Sequence, residues 1–413
     1  MSVLAVNGGE PLRREPFFQR FVHGEEENRA VAEVVENGRW GHIIAYPMLF
    51  GNDVESISKV ESLSEKFQTY YGTEYAIPVT NGSEALEIAL RNAGVGYGDE
   101  VITTPTTWLA PAMAAVLVGA DPVFVDIHPD TYCIDPERIE EAITPRTKAV
   151  IAVHLGGYPC DMEAIMRIAE RHGLKVIEDC AQAHGTRING KLVGSFGHFG
   201  CFSFEISKFM TAGEGGMVIG SYDALEERVY GFLGRSWSLI WEKLTTQGRK
   251  LVGWNARMTE MQAALLEVQL TRIEEQKALR RKNAARLNDR LAQIGGITPL
   301  RQAPDQNFYT YIMKYDASAF AGVPKEAFIQ ALNKEGVPCS SHHQLTYRND
   351  FFYSPRVDYS RVRCPVAERA YDEEAIYLPA FWMLLGSEKD MDDIADAICK
   401  IKEHAGELAA VMS

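Results

Sequence analysis

The chain has 413 residues, 24% of them charged and 46% hydrophobic, an ordinary globular composition with enough apolar material for a large core or two lobes. A formal net charge of −14, with no Lys/Arg-rich run, argues against a nucleic-acid partner because phosphate backbones would be repelled. No stretch approaches the roughly 20 apolar residues of a membrane span, and seven scattered cysteines without a Cys-x-x-Cys suggest neither a disulfide framework nor a zinc knuckle, so a soluble cytoplasmic chain with reduced thiols and no metal is expected.

Between about Thr69 and Gly220 a short β-branched apolar run, a turn and a longer helical pattern recur, the rhythm of an α/β fold. The run Tyr75–Val79 is followed by a helical pattern over Ser83–Ala93, and Glu100–Thr103 by one over Thr107–Val118. Strands at Pro122–Asp126 and Ala149–Val153 precede helices at Asp135–Ala142 and Met162–His172, and strands at Lys175–Glu178 and Gly200–Phe204 complete the set. Runs this short and apolar are buried on both faces, which implies a mainly parallel central sheet flanked by helices, with ligand groups at the strands' C-terminal ends. After Met258 the spacing predicts one long helix over Thr259–Ile294, leading to a smaller α+β lobe with a strand at Tyr309–Tyr315 and helices at Lys325–Glu335 and Lys389–His404. The expected division is an N-terminal segment, 1–25, a large domain, 26–290, and a small C-terminal domain, 291–413.

The densest chemistry lies in Cys201-Phe-Ser-Phe-Glu-Ile-Ser-Lys208-Phe-Met-Thr-Ala-Gly213-Glu-Gly-Gly216. A lysine just after a buried strand and before a glycine-rich run can present its amine to a pocket at the strand ends, where desolvation makes it nucleophilic toward an aldehyde. Taken alone, such a lysine is a solvated turn residue. Its neighbours change the reading. Asp179 closes the Val/Ile strand before it, where an ionised carboxylate can keep a pyridine nitrogen protonated, although a strand-end acid is by itself more often a helix cap. Gln182 and His184 follow within a helical turn, and either can reach a ring-shaped cofactor or its phenolic oxygen. In Val79-Thr-Asn81-Gly82-Ser83, a strand meets a glycine turn and a helix start whose free N–H groups and Ser83 hydroxyl suit a phosphate. Trp108 stands where an indole can stack on a flat ring, though a lone aromatic is more commonly core.

Together these stretches resemble the fold-type I enzymes that use pyridoxal 5'-phosphate, and within them the DegT/DnrJ/EryC1/StrS sugar aminotransferase family. The likeness runs from Leu4-Ala-Val-Asn-Gly-Gly-Glu-Pro-Leu-Arg13 to the C-terminal lobe, with the strand-end acid, Phe-Ser-Phe, the lysine and Gly-Glu-Gly-Gly in the family's order. It implies that Lys208 forms the Schiff base, that Asp179 partners the ring nitrogen, that Gln182 lies by the phenolic oxygen and Trp108 against the ring, and that Gly82, Ser83 and Ser203 surround the phosphate. Asn255, in Asn255-Ala-Arg257-Met, matches the asparagine that reaches the phosphate of a neighbouring subunit, so the resemblance also implies a homodimer with shared sites. Lys208–Gly216, Asp130-Thr-Tyr-Cys-Ile-Asp135 and Cys364–Ala370 with Leu384-Leu-Gly386 are similar to the aminocyclitol and aminohydroxybenzoate subgroup, whereas Gly157-Tyr-Pro-Cys-Asp-Met162 is similar to members acting on nucleotide-linked keto-sugars.

The expected activity is a ping-pong transfer of an amino group from glutamate or glutamine to a keto-cyclitol or nucleotide-linked keto-sugar. Tyr46, Arg235, His342, His343 and Tyr347 are candidates for substrate hydroxyls. The rival is a dehydratase or lyase of the aminohydroxybenzoate synthase type, since a retained Lys208 argues only against dehydratases that replace this lysine by histidine. A non-enzymatic regulator is disfavoured by the acidic balance and the lack of a helix-turn-helix segment, and a metal enzyme by a His342-His343 pair without a carboxylate at ligand spacing.

Overall fold

The computed structural model describes residues 3–17, 22–41, 58–221, 255–341 and 344–412. Its centre is a seven-stranded sheet. The strands are β1 (Tyr75–Val79), β2 (Glu100–Thr103), β3 (Asp121–Phe124), β4 (Thr147–Val153), β5 (Lys175–Asp179), β8 (Phe199–Ser203) and β9 (Gly216–Gly220), with β6 (Arg187–Ile188) and β7 (Lys191–Leu192) forming a separate small hairpin. Across the sheet the order is β1-β9-β8-β5-β4-β2-β3. All neighbours are parallel except β9, which runs antiparallel to both β1 and β8.

Alternation along each strand sends side chains to two different cores. Val150, Ala152 and Val176 pack on one face with Met162, Ile165 and Ile168, while Ala149, Ile151 and Ile177 pack on the other with Leu86, Ile88 and Leu90. The helix Met162–His172 shows how the covering layer is written locally: Asp161 caps it by accepting from Ala164 N–H at 3.0 Å, Gly173 ends it at φ 65, and its buried residues recur at helical spacing. The helix Gly82–Asn92 covers the opposite face.

The predicted helix over Thr259–Ile294 is two helices, Glu260–Thr271 and Ile273–Ile294. Arg272 between them has φ −93 and ψ −8, and its guanidinium is held by Glu26 at 2.6 Å and Glu27 at 3.0 Å, contacts that a continuous apolar period does not reveal. The central sheet also contains a strand absent from the sequence expectations, β9. Beyond residue 295, β10 (Ile297–Pro299), β11 (Tyr311–Tyr315) and β12 (Ala375–Leu378) form an antiparallel sheet in that order, covered by helices Lys325–Lys334 and Glu388–Glu403. Leu4 and Phe17 from the N-terminal segment, and Leu287 and Leu291 from the helix Ile273–Ile294, are built into this second core. No helix among the described residues is long and apolar enough to cross a membrane.

Candidate active site

The strand ends of β1, β5 and β8 share one edge of the sheet, and a cleft of about 1010 Å³ opens there. Asn81, Gly82, Ser83, Asp179, Gln182, Ser203 and Lys208 all line it, together with Trp108, which is 57% exposed at its rim and precedes the helix Ala110–Leu117.

Alternation along β5 divides two adjacent acids. Glu178 points to the face of Val176, where its carboxylate accepts from the N–H groups of Gly194 at 2.7 Å, Phe196 at 2.7 Å and Gly197 at 2.6 Å, and from His154 Nε2 at 3.0 Å. His154 Nδ1 accepts from Cys160 N–H, so Nε2 carries the proton. Glu178 thus organises the loop entering β8. Asp179 points to the face of Ile177 and lines the cleft, where its carboxylate accepts from Ala181 N–H at 3.0 Å. Burial raises its pKa above the ordinary aspartate value, against the lowering influence of that N–H and of the Lys208 charge.

The helix Gly82–Asn92 begins at the cleft. Asn81 caps it, its side chain accepting from Glu84 N–H at 2.9 Å, which leaves the first-turn N–H groups of Gly82 and Ser83 at the open end. A Cβ on Gly82 would lie 2.6 Å from the Ser203 Cβ, so only glycine allows this helix to approach the end of β8. Gly216 is required on the same ground, since its Cβ would lie 2.3 Å from Asn81 O.

Lys208 sits in the turn after β8, its N–H donating to Glu205 O at 2.8 Å and its Nζ 5.0 Å from the centre of the Tyr309 ring. Gln182 accepts from Gly156 N–H at 2.7 Å through its carbonyl oxygen, which makes its NH₂ the end available to a ligand. His184 does not share the cleft wall. It is fully buried, tilted against Phe202 and Phe204 at 5.5 and 5.7 Å, and desolvation pulls its pKa down to about 3, so it stays neutral. Asn255 is exposed, its carbonyl oxygen accepting from Arg257 N–H at 3.2 Å, and it does not line the cleft of its own chain.

Tyr347 is also away from the cleft. Its hydroxyl donates to Glu368 at 2.7 Å and its ring packs beside Phe124, so it serves the core. Tyr46, Arg235, His342 and His343 lie outside the described residues. The wall that sequence reasoning missed comes from the second lobe: Tyr309, Asn333, Ser340, Tyr377 and Phe381. Tyr309 stacks on Phe381 at 5.5 Å and reaches Ser207 Oγ at 3.2 Å, and Asn307 accepts from its N–H at 3.1 Å. Nothing local to these residues marks them; they are brought over 100 residues of chain to face Lys208.

The model of the DegT/DnrJ/EryC1/StrS aminotransferase family matches residues 47–399. An L-glutamine:2-deoxy-scyllo-inosose aminotransferase of Streptoalloteichus tenebrarius is 37% identical over 98% of this chain and 99% of its own length. One of the same name from Streptomyces fradiae is 36% identical over 99% of this chain and 100% of its own. Among solved structures, 3-amino-5-hydroxybenzoic acid synthase is similar with a TM-score of 0.80 and 30% identity, covering 94% of this chain and 99% of that one.

Proposed function

The chain belongs to the DegT/DnrJ/EryC1/StrS aminotransferase family, and from that premise we propose that it transfers an amino group from glutamine to the ketone of a polyhydroxylated carbocycle, with pyridoxal 5'-phosphate held in the cleft. The observation that carries the reading is the convergence of Lys208, Asp179 and the open start of the helix Gly82–Asn92 on one cavity. The choice of a keto-cyclitol and glutamine rests on the names of the two Streptoalloteichus and Streptomyces relatives.

The residues fit that cofactor. The close approach that Gly82 permits brings the helix-start N–H groups and the hydroxyls of Ser83 and Ser203 together at the cleft, a set suited to holding a phosphate. Asp179, buried and with no cation in contact among the described residues, suits a protonated ring nitrogen, which would reverse the unfavourable effect of its burial. The Gln182 NH₂ suits an anionic ring oxygen, and Trp108 a ring face. Bound there, pyridoxal phosphate supplies an aldehyde for the amine and a cationic ring that accepts electrons from the donor's Cα–H bond. Lys208 Nζ would take the proton from the donor's α-carbon and pass it to the cofactor carbon that keeps the amino nitrogen, and in the second half-reaction it would carry a proton the other way, to the carbon that bore the ketone. The aromatic wall of Tyr309 and Phe381 keeps water from that amine.

We further propose a homodimer in which Asn255 of a second copy completes the phosphate site, and a division of each chain near residue 290 into a large cofactor-binding and a small domain. Residues 1–25 form an N-terminal segment in this scheme. The deciding experiment is a pair of half-reactions. Glutamine alone should convert the yellow enzyme to its amine form with release of the keto acid, and a keto-cyclitol should then restore it. A dehydrated or aromatised ring as the product would favour the dehydratase reading that the aminohydroxybenzoate synthase likeness keeps in view.

A further inference from the structure

Behind the lysine lies a second cavity of about 350 Å³. Ser207, Lys208 and Phe381 line both it and the main cleft, so the lysine stands on the partition between them. Its wall includes Arg280, from the middle of the helix Ile273–Ile294 and only 1% exposed.

A buried guanidinium ordinarily faces a carboxylate, because only an opposite charge offsets its desolvation. The buried cation one turn earlier on this helix follows that rule: Lys277 meets Asp305 at 3.1 Å. Arg280 has no carboxylate partner among the described residues. Nη1 donates to Gln276 Oε1 at 3.2 Å, Nη2 donates to Phe381 O, the cation lies 3.9 Å from the centre of the Phe209 ring, and Nε has no acceptor among the described residues. Burial pulls its pKa down to about 9, which leaves it cationic at neutral pH.

We propose that this cavity is the subsite for the carboxylate of the amino-acid donor, with Arg280 as the counter-charge. The inference rests on the aminotransferase reading above and deepens it. A donor carries its carboxylate one carbon from the amine that must reach the Lys208 region, and the keto acid it becomes keeps that carboxylate. The cyclitol is uncharged, so a buried cation gives it no advantage. Two dissimilar substrates can therefore use one centre by meeting different walls, the donor at Arg280 and the polyol at the second lobe.

The test compares L-glutamine with its α-methyl ester in the donor half-reaction, for wild type, Arg280→Met and Arg280→Lys, with the cyclitol half-reaction run beside them. Wild type should prefer the acid by about 30-fold or more in kcat/KM. Arg280→Met should raise KM for the acid until the acid-to-ester ratio approaches one, Arg280→Lys should narrow the ratio, and neither should alter the cyclitol half-reaction. Glutarate, a carboxylate that cannot react, should bind wild type and not Arg280→Met by calorimetry. If Arg280→Met does not fold, the ratio in Arg280→Lys decides. An unchanged ratio in a folded variant, or an equal loss in both half-reactions, overturns the subsite and makes Arg280 a strut for the Phe381 segment. A wild-type enzyme that takes no amino donor would instead overturn the proposed function.

Discussion

Asp179 shows how a single side chain can be poor for the empty protein and good for the loaded one. Its folded pKa is raised, so the protein binds a proton more tightly than the unfolded chain does, and stability falls as pH rises from the ordinary aspartate value through the raised one. Asp179→Asn removes that penalty while its amide oxygen can still accept from Ala181 N–H. The cofactor-free variant should therefore melt at a higher temperature than wild type at neutral pH, while the holoenzyme loses most of its rate. Calorimetry and single-turnover kinetics read the two effects separately, and a fall in both would mean that the carboxylate has a structural role in the empty protein. Lys208→Ala is the simpler case. It should slow turnover by about 10²–10⁴-fold or more with the fold intact, since it removes the group proposed to move the proton; near-wild-type transamination would dismiss the assignment.

At the scale of elements, the approach of the helix Gly82–Asn92 to β8 is the most demanding contact in the cleft. Gly82→Ala should destabilise the protein by about 1–3 kcal/mol, because its Cβ would lie 2.6 Å from the Ser203 Cβ. Adding Ser203→Gly should recover stability in urea titrations but not cofactor affinity, if the Ser203 hydroxyl serves the phosphate. Glu178→Gln tests the loop at the start of β8: an amide cannot accept from three N–H groups and an imidazole together, and a loss on the order of 1.5–3 kcal/mol is expected in the same titrations.

These elements also separate what the sequence makes legible from what it hides. That Asp179, Lys208, Gly82 and Ser83 line one cleft is legible because each sits by its own strand end, a local feature with a local signature. So are the bounds of β1, β2 and the helix Met162–His172, where apolar spacing and caps agree. The place of Glu178 was hidden, since two adjacent acids differ only in which face of the strand they take. His184 was readable as near the site but not as a ring enclosed by Phe202 and Phe204. Tyr309 and Arg280 were invisible, because one depends on the docking of two lobes and the other on the lack of a partner.

At the scale of the whole molecule, the exposed position of Asn255 outside its own cleft suits service to a second copy. Mixing Lys208→Ala with Asn255→Asp, each inactive, tests this. Random exchange places both lesions in one site of each hybrid and none in the other, so activity should return to roughly a quarter of wild type for a two-fold dimer. Aspartate is the choice because a carboxylate facing a phosphate repels it in a partly desolvated site. No recovery despite demonstrated subunit exchange would confine Asn255 to its own subunit.

The antiparallel strand β9 sets a timetable for synthesis. β1 pairs with β9 alone in the sheet, and Gly216 at the head of β9 abuts Asn81. A nascent chain that has delivered residues 75–92 therefore holds an unpaired strand until residue 220 has emerged, about 145 residues after Tyr75 by the register of Tyr75 with Gly220. Closure over so long a span is slow and exposes an apolar edge meanwhile. Capture of the proposed cofactor during refolding should thus appear in the same late kinetic phase as pairing of β1, which would make it a reporter of the last long-range step rather than a seed for the first.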